Sequence, residues 1–227
     1  AVHAMTQAAQ WLSATSAGRL LRCPASAAFV FTPKPIPPSP PQNAGTLAHL
    51  AMSAWLESGA WLDDEHGQEL QQAWDREAGR WKVDARRLPN SVMTRARLRS
   101  RGPELAAVLK RAGITARSEV FLCDDVSMVY GQLDVVVDDP GGGAVVDLKT
   151  GNETTSEGVR IQLLIYAALF KQETGYYPAT LVAFSLVRGP VPIEFSQAEV
   201  DDVFARVEAA RVQRELAVPD PAGCKYC

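Results

Sequence analysis

Asp147-Leu148-Lys149 places a carboxylate and an ammonium two residues apart at the end of a strand-like run, Ala144 to Lys149. Strand alternation puts residues 147 and 149 on one face and turns Leu148 the other way, into the core. That pairing suits phosphodiester hydrolysis. The carboxylate can hold a divalent ion, while the lysine can orient or help deprotonate an attacking water and steady charge on the phosphate. Asp134 lies on the preceding strand of the same hairpin, close enough to serve as a second carboxylate for the same ion. Hard oxygen ligands favour Mg2+ or Mn2+ over zinc. Gln162 and Tyr166, four apart in a helical run, share one face. A lone Asp-x-Lys is common, so its weight rests on the company it keeps.

The elements that must position these groups follow from the hydrophobic period. A short helix centres on Leu20, Leu21 and Cys23 within residues 16–31, and six prolines between Thr32 and Pro41 demand an extended loop. Leu47, Leu50, Ala51, Ala54 and Trp55 mark a helix from Ala44 to about Ser58. A second covers 66–82, with Trp74 and Trp81 on one face, and a third covers 91–112, broken in two at Gly102-Pro103. The period then switches to strands at 115–123, 128–138 and 144–149. Asp138-Asp-Pro-Gly-Gly-Gly143 turns the last two into a hairpin. A helix at 158–173, strands at 179–187 and 191–195, and a helix at 197–216 complete the chain. The order is that of an α/β fold: a catalytic core over 115–216 and an N-terminal helical annex over 44–112, within one domain.

Four blocks carry a resemblance. Gly45-Thr-Leu-Ala-His49, Gly131-Gln-Leu-Asp134, Val145-Val-Asp147-Leu-Lys149-Thr-Gly151 and Arg160-Ile-Gln162-Leu-Leu-Ile-Tyr166 follow one another in the order of the PD-(D/E)XK nucleases. Within that superfamily the chain resembles the RecB-like and Cas4-like branch, from Leu20 to Cys227. The resemblance implies a restriction-endonuclease-like core, a mixed central sheet flanked by helices. It implies that His49, Asp134 and Asp147 ligate Mg2+ or Mn2+, with the Leu148 carbonyl a further ligand, and that Lys149 works on the nucleophile and the scissile phosphate. It turns the Gln162/Tyr166 face toward the site and the nucleic-acid strand. Glu119 resembles an acidic residue of relatives and reads equally as a solvated charge. Alone on an apolar helix face, His49 would read as a hydrogen-bonded core residue; the resemblance makes it a ligand.

Cys224-Lys-Tyr-Cys227 is a Cys-x-x-Cys in a chain without a secretion signal, which points to metal, cluster or redox chemistry rather than a disulfide. The resemblance implies that Cys23, Cys224 and Cys227 hold a [4Fe–4S] cluster clasping the chain ends, although four thiolates are usual and the third C-terminal one is missing. Either the chain continues past Cys227 or another group is the fourth ligand; zinc in the same cage is the weaker alternative. Cys123, in a strand, reads as a small buried hydrophobe. A redox role fits poorly, because no Cys-x-x-Cys opens a helix after a strand.

The apolar fraction of 47% and charged fraction of 22% call for a packed core. No run approaches the apolar length of a membrane span, so the expected location is the cytoplasm. The net charge of −3 neither supports nor opposes nucleic-acid binding. Arg86, Arg87, Arg95, Arg97, Arg99 and Arg101 could track a phosphate backbone or cover a solvated helix surface. Trp11, Trp55, Trp61, Trp74 and Trp81 read as core packing. The constellation leads us to expect a metal-dependent nuclease, and the resemblance implies a DNA substrate, with exonuclease action on single-stranded or end-exposed DNA in repair, recombination or defence. A helicase or other recombination or defence partner is the expected company. The alternative is a catalytically silent module that keeps the fold to grip DNA or a partner.

Overall fold

The computed structural model describes residues 11–23, 43–152 and 154–213. Its elements in chain order are β1 (Leu12–Ser13), α1 (Ala14–Arg22), α2 (Ala44–Glu57), α3 (Gln68–Arg80) and α4 (Ser91–Ala112). There follow β2 (Ala116–Asp124), β3 (Val129–Val137), β4 (Ala144–Lys149), α5 (Glu157–Thr174), β5 (Thr180–Ser185), β6 (Gly189–Ile193) and α6 (Gln197–Gln213). The proline-rich loop expected after Thr32, and Cys224 and Cys227, lie outside the described residues.

The six strands form one mixed sheet. Antiparallel β2 lies along one side of β3, and the other side carries β1, parallel at Leu12↔Val129, and β4, antiparallel at Val135↔Val146. β5 runs parallel to β4 with Lys149 opposite Ser185, and β6 closes the sheet antiparallel to β5. A parallel neighbour needs a crossover, and α5 supplies it. This is the mixed α/β sheet flanked by helices that the sequence leads one to expect.

Each face of the sheet has its own core. On one side α5 is buried almost all round, packed with α1, α6 and Leu133, Val136, Val145 and Leu181. On the other, α2, α3 and α4 cover Val135, Val137, Ala144, Val146, Leu148 and Phe184. Helix α2 shows why: Ala44, Leu47, Ala48, Ala51, Met52, Trp55 and Leu56 are buried at helical spacing, leaving His49 and Ser53 on its flank. Asn43 caps its start, accepting the Thr46 N–H at 2.9 Å. Trp55, Trp61 and Trp74 are fully buried, and the Trp55 indole donates to buried Asp64 at 3.0 Å. Trp11 and Trp81 are only half-buried. Among the described residues no helix is long and apolar enough to cross a membrane.

Two expectations need correcting, and one element went unseen. Helix α4 does not break at Gly102-Pro103; it runs unbroken from Ser91 to Ala112 with Pro103 inside. Proline frees the carbonyl four residues back, that of Arg99, and the tip of α3 packs directly onto it, as Gly67 shows below. Cys123 is exposed rather than buried, because it sits on the open face of β2. The short strand β1 was not anticipated, since two residues carry no period.

Candidate active site

The site grows from a break in the β2–β3 ladder. Val120, Leu122, Val129 and Leu133 pack toward α5, whereas Ala116, Val135 and Val137 pack toward α2–α4. Both strands therefore change face at one step. The register does not slip, with Ser118 opposite Val135 and Val120 opposite Leu133, and only the intervening Glu119–Asp134 pairing is missing. Glu119 absorbs the change with φ of 51°, left-handed for a residue with a side chain. Such a conformation costs roughly 1 kcal/mol or more, and strain of this kind gathers at functional sites.

The break aims two acids at α2. His49 Nδ1 lies 3.2 Å from Asp134 Oδ1 and 3.8 Å from Glu119 Oε1. Ligand atoms of His49, Glu119 and Asp134 all fall within 4.8 Å of one another. Asp134 Oδ2 accepts the Leu148 N–H at 2.6 Å, which ties β3 to the Asp-x-Lys strand. Gln132 Nε2 donates to Glu119 Oε2 at 2.5 Å. Burial disfavours a charge on His49, but hydrogen bonds and the charges of Asp134 and Glu119 outweigh it, lifting its pKa to about 10. The imidazolium thus stands where a metal cation would neutralise the same two acids.

Asp147 and Lys149 face α5, as alternation requires, and Leu148 is buried in the opposite core. Lys149 Nζ lies 2.8 Å from Asp147 Oδ2 and donates to Gln162 Oε1 at 3.4 Å. Gln162 Nε2 donates to Asp147 Oδ1 at 3.4 Å and to the Tyr166 hydroxyl oxygen at 2.8 Å. Asp147 is 2% exposed. Apart from the Lys149 ammonium, its Oδ2 has no hydrogen-bond partner among the described residues. Burial and the neighbouring Asp134 charge raise the Asp147 pKa to about 6, against the pull of Lys149. Burial and the nearby carboxylates push Tyr166 up as well, keeping the phenol protonated. These groups surround a cleft of about 420 Å³ whose wall also includes Thr150 and Gly151.

This donor set fits a hard divalent cation. Carboxylates crowded beside a half-buried imidazole, with the buried acid of Asp147 next to them and its pKa raised, offer the oxygen and nitrogen donors that such an ion takes. Asp147 stands next to the His49–Glu119–Asp134 cluster rather than within it.

Gly131 explains how Tyr166 reaches the cleft. A Cβ there would lie 2.7 Å from Tyr166 Cε1 and 2.9 Å from Cδ1. The ring lies against the bare backbone of β3, and Leu169 Cδ1 would stand 3.1 Å from the same Cβ, so two side chains would have to give. Gly131→Ala should therefore swing the ring, break the 2.8 Å contact with Gln162 and cost about 1–3 kcal/mol of stability. Thermal unfolding of that variant, together with its cleavage rate, checks this.

Every candidate from the sequence that lies within the described residues has a definite place. His49, Glu119, Asp134, Asp147, Leu148, Lys149, Gln162 and Tyr166 come together. Cys23 caps the end of α1, half-buried. Within the arginine run, Arg95 is bonded to Asp75, Arg87 pairs with Asp84, and Arg101 reaches Glu104 and the Val187 carbonyl. Thr150, Gly151 and Gln132 were not singled out in the sequence, although each stands inside a quoted block. The signal that could have found Gln132 was its placement two residues before Asp134 on one strand.

The chain belongs to the PD-(D/E)XK nuclease superfamily, whose family profile matches residues 11–227. Members of that superfamily are metal-dependent nucleases as a rule, and the hard-ligand pocket built here agrees with that class. No curated protein matches the sequence. One solved chain that does match is the crystal structure of SSO0001, 17% identical, with a TM-score of 0.37. The match covers 92% of this chain and 91% of that one.

Proposed function

We propose that the protein is a Mg2+- or Mn2+-dependent deoxyribonuclease of the RecB-like and Cas4-like branch, acting on single-stranded or end-exposed DNA. The observation that carries this reading is the ion pair of buried Asp147 and half-buried Lys149 sharing one cleft with Asp134, His49, Gln162 and Tyr166. His49, Asp134, Asp147 and the Leu148 carbonyl would hold the ion. A divalent ion bound there supplies Lewis-acid stabilisation of the charge that develops on the phosphate.

The chain's own groups do the rest. Lys149 is held between Asp147 and Gln162, so its ammonium is fixed at the cleft for a phosphate oxygen or an attacking water. Gln162 locks Asp147 and Tyr166 into one network, and the Tyr166 hydroxyl, whose oxygen accepts from Gln162, keeps its own proton free to donate to a nucleic-acid strand. Intact placement of all these groups favours an enzyme over a silent binding module.

Cleavage of labelled single- and double-stranded DNA with Mg2+, with Mn2+ and with EDTA tests the reading. Cutting that either metal supports and EDTA abolishes is expected, with a product ladder that gives direction. A well-folded protein that binds DNA but cuts nothing under either metal would leave the binding-module reading standing. Cys23, Cys224 and Cys227 support an iron–sulfur clasp on sequence alone, and iron and sulfide analysis of purified protein decides it. A helicase or other recombination or defence partner belongs to the same reading and rests on the resemblance.

A further inference from the structure

We infer that Gln132 is a positioning residue for metal binding: it fixes the Glu119 carboxylate so that one oxygen completes the His49–Asp134 ligand set. The inference rests on the metal-dependent reading above and deepens it. Glu119 stands at the ladder break, with φ of 51° and no backbone pairing to Asp134, so the strand does not fix its carboxylate. A glutamate has three rotatable side-chain bonds, and holding it at a metal position costs rotamer freedom. Gln132 removes part of that cost beforehand. Its amide donates to Oε2 at 2.5 Å, leaving Oε1 as the oxygen 3.8 Å from His49 Nδ1.

The chemistry of the donor matters. A lysine or arginine here would hold Glu119 too, but its charge would neutralise the acid and repel the cation. A carboxamide orients the acid and leaves its charge intact for the ion. Gln132 is exposed on β3, opposite Phe121 rather than Glu119, so its contact with Glu119 is diagonal across the strands. Its side chain is not in either hydrophobic core. Replacing it therefore tests orientation of the acid with little disturbance of the fold.

The experiment is a titration of Mn2+ into the metal-free full chain, by calorimetry and by electron paramagnetic resonance. It compares wild type, Gln132→Leu, Glu119→Gln and the double variant. Gln132→Leu is expected to weaken Mn2+ binding about 10- to 100-fold. It should also change the bound-Mn2+ spectrum while keeping the thermal midpoint near wild type. Glu119→Gln should weaken binding at least as much, and adding Gln132→Leu to it should weaken binding no further. If Gln132→Leu binds Mn2+ like wild type, or weakens it equally in both backgrounds, the inference falls. If wild type itself binds no Mn2+, the metal-dependent reading falls with it.

Discussion

Lys149→Ala is expected to slow DNA cleavage by roughly three orders of magnitude while the protein stays folded. Asp147→Asn should do the same and should also stabilise the metal-free protein at neutral pH. Lys149 is half-buried, so removing it opens no large core cavity; what it removes is, among the described residues, the only lysine ammonium on the cleft wall. Asp147 has the opposite problem. Its folded pKa is raised to about 6 from an ordinary 3.8, chiefly by burial and then by Asp134. Folding therefore favours its protonated form, and the acid burdens the metal-free fold increasingly as pH rises from about 4 to about 6. The burden is fully present above that. An asparagine removes the charge and can still accept from Gln162 through Oδ1, with its Nδ2 then facing the partly exposed Lys149 ammonium, which must turn aside. Denaturant melts of wild type and Asp147→Asn without metal should thus diverge above pH 6 and converge near pH 4. If Asp147 is a ligand, as proposed, added Mn2+ should reverse the order, because only wild type keeps the acid. A variant that cuts DNA at the wild-type rate would remove Asp147 or Lys149 from the proposed site.

The placement of Asp147, Lys149, Gln162 and Tyr166 in the candidate site was legible in the sequence because it obeys strict periods. Asp147 and Lys149 share a face through strand alternation, and Gln162 and Tyr166 share one through helical spacing; both placements follow from local geometry alone. Asp134 was placed correctly on the preceding strand, but its aim toward α2 comes from a break in alternation. Nothing in Leu133-Asp134-Val135 announces that break, because a glutamate across the strand supplies it at an unfavourable φ. Glu119 was for that reason indistinguishable from a solvated charge. His49 was also not decidable locally: the acids beside it lie about 70 and 85 residues later, and only the sheet brings them there.

The same limit governs the fold at Gly102-Pro103. Read locally, glycine followed by proline ends a helix, since proline in a helix interior costs about 3 kcal/mol. In the folded chain those two residues serve the crossing of α3 and α4. A Cβ on Gly102 would lie 3.1 Å from the Gly67 Cα, so the absence of a side chain lets the start of α3 settle onto α4. The apolar seam on either side, with Leu70, Trp74, Leu98 and Leu105 buried, offsets the lost hydrogen bond.

Gly67→Ala should accordingly be among the most damaging single substitutions outside the cleft, lowering stability by about 3 kcal/mol or more. Two independent costs meet at this position. Gly67 has φ of 66°, which an alanine adopts at roughly 1 kcal/mol. The added Cβ would stand 1.8 Å from the Arg99 carbonyl oxygen and 2.7 Å from its carbon, both backbone atoms of a helix interior. A side chain can rotate away from such a clash; a helical carbonyl cannot, so α3 must lift from α4. Lifting it also pulls on Leu70, whose N–H donates at 3.0 Å to the buried Asp64 that receives the Trp55 indole. Because Trp55 stands on α2, the helix that also carries His49, the loss should reach the candidate ligand cluster of His49, Glu119 and Asp134. Gly67→Ala is therefore expected to lower the urea midpoint and, in the fraction that still folds, to weaken Mn2+ binding. Gly59→Ala is the matched control: it has a similar φ of 73°, and beyond its chain neighbours no atom of the described residues lies within 4 Å of the added Cβ. It should show the conformational cost alone, and equal losses in the two variants would mean that the α3–α4 contact yields far more easily than its geometry implies.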